Sequence, residues 1–281
     1  MELCEIKTIM KKVILITGIS SGFGKSTANL LAVQGHTLYG TVRKDCDTDS
    51  RINVLKMDIT DTTSIKNAVG TIINKEGRID VLINNAGMHT GGPVETSPLE
   101  NIKLQIDTNF IGTAILTREV LPYMRKQGGG KIINISSIGG LMGLPFQSFY
   151  SAGKFAIEGF SEALRMEVRN FNIKVIVINP GDFKTNNSAN RRNFLAPAGH
   201  DDPYRRQFEK TLKIIENDEA NGWNPVILAR KIAKIVECKN PLQRYVIGSF
   251  EQKLAVILKY ILPDKLFMKI LEDHYKINKN S

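Results

Sequence analysis

Short apolar runs alternate with longer amphipathic segments along the chain. The runs are rich in β-branched residues, and several are apolar almost throughout, as is typical of strands that helices cover on both faces. This order predicts βαβ units and an α/β fold in which about seven parallel strands form one sheet, with helices on both faces. The predicted strands are Val13–Thr17, Thr37–Val42, Asn53–Met57, Val81–Asn84, Lys131–Ser136, Lys174–Asn179 and Tyr245–Ile247.

Helices are expected between the strands, and two of them begin with recognisable start signals. Ser97-Pro98-Leu99-Glu100 is typical of a capping box with proline at the first helical position. It opens a long segment that ends near residues 128–130. Asn224-Pro225 repeats the cap-then-proline order before a stretch with helical apolar spacing.

Two segments near the C-terminus differ from the rest. The polar stretch at about 186–224 is expected to be a substrate lid, and disorder without function is the alternative. The tail at about 250–281 has apolar stripes flanked by lysines. We expect it to form helices that pack over the substrate cleft or against a partner subunit, with a helix on a membrane surface as the alternative. The whole chain, residues 1–281, is expected to form a single domain.

Composition narrows the function only slightly. The net charge of +10 is compatible with nucleic acid, a membrane surface or an anionic cofactor as partner, and equally with an ordinary soluble surface. Cys4, Cys46 and Cys238 are few and far apart, which favours a reducing, cytoplasmic setting over a disulfide framework or a metal site. The N-terminus lacks an apolar signal segment, and no apolar run is long enough to span a membrane.

The stretch GISSGFGKST, residues 18–27, follows the first predicted strand and resembles two kinds of phosphate-binding loop. A Walker loop requires glycine five positions before Gly24, where this chain has Ile19. A dinucleotide-binding turn requires glycines between a strand and a helix whose N-terminus faces the pyrophosphate. Gly18, Gly22 and Gly24 meet that requirement, and a purely structural turn is the alternative. Lys25 receives no phosphate-binding role.

The end of the second predicted strand indicates the type of dinucleotide. An NAD site usually places Asp or Glu there to bind the ribose hydroxyls, whereas this chain has Arg43 and Lys44. Two cations can pair with a 2′-phosphate, so NADP(H) is favoured over NAD(H). The nearby Asp45 and a merely solvated turn leave the other interpretation open.

Tyr150 and Lys154 are the first candidates for chemistry. At a spacing of four they share one face of a helix, and an ammonium group beside a phenol favours the phenolate and lowers its pKa. Tyr150 is therefore a candidate proton donor or acceptor. Ser137 follows a predicted strand at the edge where α/β proteins bind ligands, and it can hydrogen-bond a substrate oxygen.

Together these motifs resemble the classical short-chain dehydrogenase/reductase family. The resemblance is strong over about residues 11–185 and implies a Rossmann-type, doubly wound fold. It rests on residues spread along that range: Thr17, Gly18, Gly22, Gly24, Asn84, Asn85, Ala86, Gly87, Asn109, Ser137, Tyr150, Lys154, Pro180 and Gly181. The interval between Ser137 and Tyr150 is the one customary in the family, which selects Ser137 over Ser136.

The resemblance implies a role for each matching residue. Tyr150 is the general acid in reduction, Lys154 holds the nicotinamide ribose and lowers the tyrosine pKa, and Ser137 polarises the carbonyl. Asn109 keeps a water on a proton relay behind Lys154. The implied cofactor-binding residues are Gly18, Ser20, Ser21, Gly22, Phe23, Gly24, Arg43, Lys44, Asp58, Ile59, Asn85, Ala86, Gly87, Tyr150, Lys154, Pro180, Gly181, Phe183 and Thr185. The substrate-binding candidates are Ser137, Leu144, Phe146 and Tyr150.

The expected function is hydride transfer between NADP(H) and a secondary alcohol or carbonyl. The segment around Tyr150 resembles the steroid and retinol branch of the family, which implies a lipophilic substrate. A 3-ketoacyl-thioester reductase and a non-catalytic dinucleotide-binding sensor are the alternatives. The resemblance also implies a homodimer or homotetramer built on the helices that contain Asn109 and Tyr150. No nucleic-acid recognition motif is present, and we expect at most peripheral membrane contact.

Overall fold

The computed structural model of the protein describes residues 10–185, Arg191 and residues 202–277. Their strands form one seven-stranded, all-parallel sheet in the order β3-β2-β1-β4-β5-β6-β7. The strands are β1 (Val13–Ile16), β2 (Thr37–Val42), β3 (Ile52–Lys56), β4 (Val81–Asn84), β5 (Gly130–Ile135), β6 (Ile173–Pro180) and β7 (Arg244–Ile247). The order reverses between β1 and β4, which is where open α/β sheets bind ligands.

Helices cover both faces of this sheet. They are α1 (Gly22–Val33), α2 (Thr62–Glu76), α3 (Leu99–Ile106), α4 (Gly112–Lys126), α5 (Ser148–Glu167), α6 (Arg205–Ala220), α7 (Pro225–Glu237), α8 (Phe250–Ile261) and α9 (Asp264–His274). A π-helical turn, Asp107–Ile111, joins α3 to α4. The Rossmann-type, doubly wound fold expected from the sequence is confirmed.

Two apolar cores lie on opposite faces of the sheet because successive strand residues point to opposite sides. On one face, Ile14 and Ile16 of β1 pack with apolar residues of α1 and α7. On the other face, Val13 and Leu15 pack with residues of α2, α4 and α5. All four β1 side chains are buried, which explains why the strand is apolar throughout.

Each of the seven predicted strands is present. Two of them have the predicted ends, and the ends of the other five differ by at most one residue. The helix start at Asn224 is also confirmed, since its side chain accepts a hydrogen bond from the Val226 N–H at 2.9 Å. The capping box at Ser97 is wrong. The Ser97 hydroxyl instead donates to the Pro93 carbonyl at 2.6 Å, and Pro98 precedes the helix rather than opening it.

The C-terminal helices form a third apolar cluster. Phe267 and Leu271 of α9 and Val256 of α8 pack against Leu141 and Met142, which follow β5. Leu141 and Met142 are therefore core residues beside the site. No helix in the described ranges is long and apolar enough to cross a membrane. Of the predicted lid, residues 205–220 form α6, while residues 186–190 and 192–201 lie outside the described residues.

Candidate active site

The glycine-rich turn lies at the carboxyl end of β1 and leads directly into α1. Gly18 and Gly22 have φ angles of +70° and +54°, in the left-handed region that glycine adopts without strain. Ser21 precedes α1, and its side chain makes no capping hydrogen bond. The first N–H groups of a twelve-residue helix therefore face the turn, and this arrangement favours an anion.

Gly24 allows the turn and the loop after β4 to approach closely. A Cβ atom on Gly24 would overlap the Gly18 carbonyl oxygen and would lie 2.6 Å from Asn85 Nδ2. Asn85 Nδ2 donates to the carbonyl oxygens of Thr17 and Gly18, at 2.8 and 3.0 Å. The Thr17 hydroxyl in turn accepts from the Ala86 N–H at 2.8 Å. These bonds hold the two cofactor-side loops together.

The carboxyl end of β2 carries a positive charge that is not neutralised locally. Arg43 and Lys44 are exposed, and no ion pair among the described residues involves either of them. Asp45 is the acid that left NAD(H) as an alternative cofactor in the sequence analysis, and it pairs with Lys56 at 2.8 Å. Asp58 faces the same edge, and a hydrogen bond from the Thr60 N–H, with help from the Arg43 charge, lowers its pKa.

Asn109 lies in the π-helical turn and is 1 % exposed. Its side chain clamps the segment after β4, because Oδ1 accepts from the Met88 N–H and Nδ2 donates to the Met88 carbonyl, both at 2.8 Å. A Cβ atom on Gly87 would lie 3.3 Å from Asn109 Oδ1 and 3.8 Å from Lys154 Nζ. The structure thus brings Asn109, Gly87 and Lys154 together, and π turns are frequent at functional sites.

Ser137 and Tyr150 line one cavity, which has an empty volume of about 700 Å³ and opens to solvent. Its described lining is Phe23, His89, Ser136, Ser137, Ile138, Leu144, Gln147, Tyr150, Pro180, Gly181, Asp182, Phe183, Thr185, Ile215, Asp218, Glu219 and Tyr275. Ser137 Oγ accepts from the Gly139 N–H at 3.0 Å, which leaves its hydroxyl proton to donate to Tyr150.

The electrostatics of Tyr150 differ from the expectation. Burial raises the pKa of Tyr150, and the hydrogen bond with Ser137 opposes that rise only in part. Lys154 Nζ lies 5.8 Å from the centre of the tyrosine ring and donates to the Ile135 carbonyl at 2.9 Å. Burial also lowers the pKa of Lys154 to about 8. The expectation that the ammonium group lowers the tyrosine pKa is therefore wrong, because burial raises that pKa.

A buried polar network fixes the strand ends that carry these groups. Asn179 of β6 donates to the Ser137 carbonyl at 3.0 Å and to Glu158 Oε1 at 2.6 Å. Arg244 donates to the other oxygen of Glu158 at 2.5 Å. Since the whole network is hydrogen-bonded, it holds the Ser137 backbone in one position.

The candidate residues divide between cofactor side and cavity. Phe23, Ser137, Leu144, Tyr150, Pro180, Gly181, Phe183 and Thr185 line the cavity. Phe146 does not, since its ring packs on Phe208 with centroids 5.3 Å apart, and its backbone has a φ of 57°. Ile59 is buried beneath α4, where its carbonyl oxygen would overlap a Cβ atom on Gly112. Ser20 is exposed in the glycine-rich turn.

Several cavity residues were not anticipated from the sequence. His89 stacks on Tyr150 with centroids 4.0 Å apart and an interplanar angle of 17°. Its Nδ1 lies 3.1 Å from the guanidinium of Arg191, which also pairs with Glu219. Burial and the charges of Arg191 and Lys154 lower the pKa of His89 well below its usual value. In the sequence, the one signal that could have indicated a role for His89 was its position two residues after Gly87.

Comparison with known proteins agrees with this geometry. The short chain dehydrogenase family model matches residues 12–196. The 3-ketodihydrosphingosine reductase of Bacteroides thetaiotaomicron is 49% identical over 266 residues, covering 95% of this chain and 98% of that protein. The NADPH-dependent 3-dehydrocapnine reductase of Ornithobacterium rhinotracheale is 29% identical over 282 residues, covering 95% and 99%. A short-chain dehydrogenase structure from Streptomyces avermitilis has a TM-score of 0.79 at 30% identity, covering 93% and 96%.

The chain therefore belongs to the short-chain dehydrogenase family. It is an oxidoreductase of the short-chain dehydrogenase/reductase type that acts on a small molecule with a nicotinamide dinucleotide. The glycine-rich turn, the open N-terminus of α1 and the unpaired cations after β2 fit such a cofactor.

Proposed function

We propose that this enzyme uses NADPH to reduce a long-chain 2-amino-3-ketone of the 3-ketodihydrosphingosine type to the corresponding alcohol. The observation that carries the proposal is the 49% identity with the 3-ketodihydrosphingosine reductase over almost the full length of both chains. The 3-dehydrocapnine reductase supports it, because the two named substrates share an amino group next to a ketone on a long alkyl chain. Leu144, Ile138 and Ile215 supply apolar lining for such a chain.

In this mechanism, Ser137 and Tyr150 bind the substrate carbonyl oxygen from the cavity wall. The nicotinamide supplies the hydride to the carbonyl carbon when it is bound. Tyr150 gives its phenolic proton to the developing alkoxide, so that the ketone gains one hydride and one proton. The resulting phenolate is stabilised by the hydrogen bond from the Ser137 hydroxyl. Lys154 would hold the nicotinamide ribose. Asn109 holds the end of the relay that returns a proton to Tyr150.

The preference for NADP(H) is part of the proposal. Gly18, Gly22 and the first turn of α1 hold the pyrophosphate, while Asp58 and the segment 85–87 hold the adenosine side and the ribose. Arg43 and Lys44 bind the 2′-phosphate, because they are exposed and form no ion pair in the described part of the chain.

The test is NADPH oxidation with purified enzyme and a panel of three ketones. The panel holds a long-chain 2-amino-3-ketone, a 3-ketoacyl thioester and a steroid or retinoid carbonyl. We expect the amino ketone to have the highest kcat/KM and NADPH to surpass NADH. Faster turnover of the thioester or the steroid would reject the proposed substrate class.

Tyr150→Phe is the matched variant, since it removes only the hydroxyl group. We expect it to bind NADPH with nearly unchanged Kd and to lose turnover. Full activity in this variant would overturn the catalytic role. Binding of NADPH by the wild type without turnover of any ketone would favour the non-catalytic sensor.

The remaining expectations stand as proposals on the same basis. We propose that residues 1–281 form one domain and that residues 186–224 cover the substrate. Arg191, within that range, already contacts His89 beside Tyr150. A cytoplasmic location is compatible with the exposed, free thiols of Cys46 and Cys238.

A further inference from the structure

Three carboxylates line the cavity that contains Tyr150. Asp182 follows β6, while Asp218 and Glu219 are neighbours near the end of α6. All three line the cavity, and its described lining contains no lysine or arginine. We call Asp182, Asp218 and Glu219 the acidic wall. It stands out in a chain whose formal net charge is +10.

The partners of the acidic wall neutralise only part of its charge. Glu219 pairs with the buried guanidinium of Arg191. Among the described residues, Asp218 pairs with His274 at 3.1 Å, and the side chain of His274 is 52% exposed. Asp182 accepts a hydrogen bond from the neutral amide of Gln252.

The negative charge of the acidic wall contributes to the pKa values of the groups around it. Burial, followed by the charges of Asp218 and Glu219, raises the pKa of Asp182 to about 6. Glu219 and Asp182 also contribute to the raised pKa of Tyr150. The charge of Arg191 acts on the pKa of Tyr150 in the opposite direction. A cationic ligand beside Asp182 would lower the cost of burying its carboxylate.

Ser136 gives an independent indication of a polar ligand. Its side chain lines the same cavity, is 3% exposed, and its hydroxyl has no hydrogen-bond partner within the described residues. Buried hydroxyl groups are nearly always paired in folded proteins, so the unpaired hydroxyl of a residue in this cavity wall can form a hydrogen bond with a polar group of the ligand.

We propose that the acidic wall binds the ammonium group of the substrate and thereby selects 2-amino ketones over ketones that lack the nitrogen. This inference rests on the proposed function. In a 2-amino ketone the nitrogen is two bonds from the carbonyl carbon. Tyr150 and the acidic wall line the same cavity, so we assign the carbonyl group to Tyr150 and the ammonium group to the wall. The bound ammonium group also offsets the repulsion between the carboxylates of the wall and the developing alkoxide.

Binding measurements test the acidic wall separately from turnover. Isothermal titration of the NADP⁺-loaded enzyme compares a short-chain 2-amino-3-alcohol with the same alcohol without the amino group. We expect wild type to bind the amino alcohol at least about tenfold more tightly, because a charge pair in a buried site is lost with the amine. Asp182→Asn combined with Asp218→Asn is expected to remove that difference while leaving the Kd of the amine-free alcohol unchanged.

Both substitutions preserve side-chain shape, and the amide oxygen introduced at position 182 can still accept from Gln252. Glu219 is left in place because its removal would strand Arg191. Glu209→Gln is the matched control, since it removes an exposed acid from α6 whose side chain is 57% exposed. We expect it to bind like wild type.

The outcomes separate the two proposals. Equal binding of the two alcohols by wild type, or an unchanged preference in the double variant, would overturn the acidic wall whatever the enzyme reduces. An amine preference that depends on the wall, without reduction of the amino ketone, would uphold the wall and reject the proposed reaction. Thermal unfolding of each variant identifies any loss of binding that comes from loss of structure, and the single variant Asp182→Asn then decides the question.

Discussion

The buried ammonium group of Lys154 should make the enzyme less stable than a variant without it. Lys154 is 6% exposed, and burial lowers its pKa from 10.5 to about 8, although Glu158 opposes the shift. Each pKa unit corresponds to about 1.4 kcal/mol, so keeping this group charged in the folded state costs about 3 kcal/mol at pH 7. The cost is present in full below pH 8 and is relieved between pH 8 and 10.5, because there the unfolded chain binds the proton and the folded chain does not.

Lys154→Met removes the buried charge and keeps most of the side-chain volume. The variant loses the hydrogen bond from the charged Nζ to the Ile135 carbonyl, 2.9 Å long, which is worth about 2 kcal/mol. We therefore expect a net gain of about 1 kcal/mol in the free energy of unfolding at pH 7, and a gain near zero at pH 9. The same variant should be inactive.

Urea unfolding of the cofactor-free enzyme at pH 7 and pH 9 measures this difference. Lys174→Met is the control, because it removes an exposed lysine from β6 and should change the free energy of unfolding little at either pH. A Lys154→Met variant that is no more stable than wild type at pH 7 would refute the argument. A difference in the free energy of unfolding between variant and wild type that does not become smaller as the pH rises would also refute the argument.

Three other substitutions test separate parts of the structure. Gly24→Ala should lower the free energy of unfolding by about 1–3 kcal/mol and weaken NADPH binding, because no space exists for its Cβ atom. Its control is Gly70→Ala in α2, which has open space around it and should stabilise the protein by up to about 1 kcal/mol. Denaturation measures the stability of both variants, and fluorescence titration measures their NADPH binding. Arg43→Ala should raise the KM for NADPH and leave that for NADH nearly unchanged in steady-state assays; equal effects would contradict 2′-phosphate binding. Phe155→Asp, on α5 at a side chain 46% exposed, should lower the mass measured by light scattering if this helix forms the expected subunit interface, and an unchanged oligomer would exclude Phe155 from it.

The sheet was predictable because its strands are apolar on both faces and end in turn residues. Val13–Ile16 illustrates this, since all four side chains are buried and the next residues form the glycine-rich turn. The error at Ser97 has a physical reason. Its sequence satisfies the capping pattern, but the Pro93 carbonyl lies within reach of the hydroxyl and takes its proton instead.

The acidic wall could not be foreseen from local sequence. Asp218 and Glu219 occur in a polar helix whose pattern is that of a solvated surface, and only the fold turns them toward Asp182. His89 was missed for a related reason, because its position over Tyr150 depends on how the loop after β4 packs against the start of α5. The glycine turn, Ser137, Tyr150 and Lys154 were accessible because their spacing along the chain is itself informative.

The π-helical turn at Asp107–Ile111 fixes the number of residues between α3 and α4. Three contacts fix the rotation of the helix formed by α3, the π turn and α4 relative to its neighbours. Gln105 accepts from the Thr90 N–H, Asn109 hydrogen-bonds Met88, and Gly112 lies under the Ile59 carbonyl. Removing one residue from the turn would rotate the preceding helix by about 100° relative to the following one. An insertion or deletion in this turn would therefore break at least one of the three contacts. The number of residues between Gln105 and Gly112 thus constrains the site as directly as the identity of a catalytic side chain.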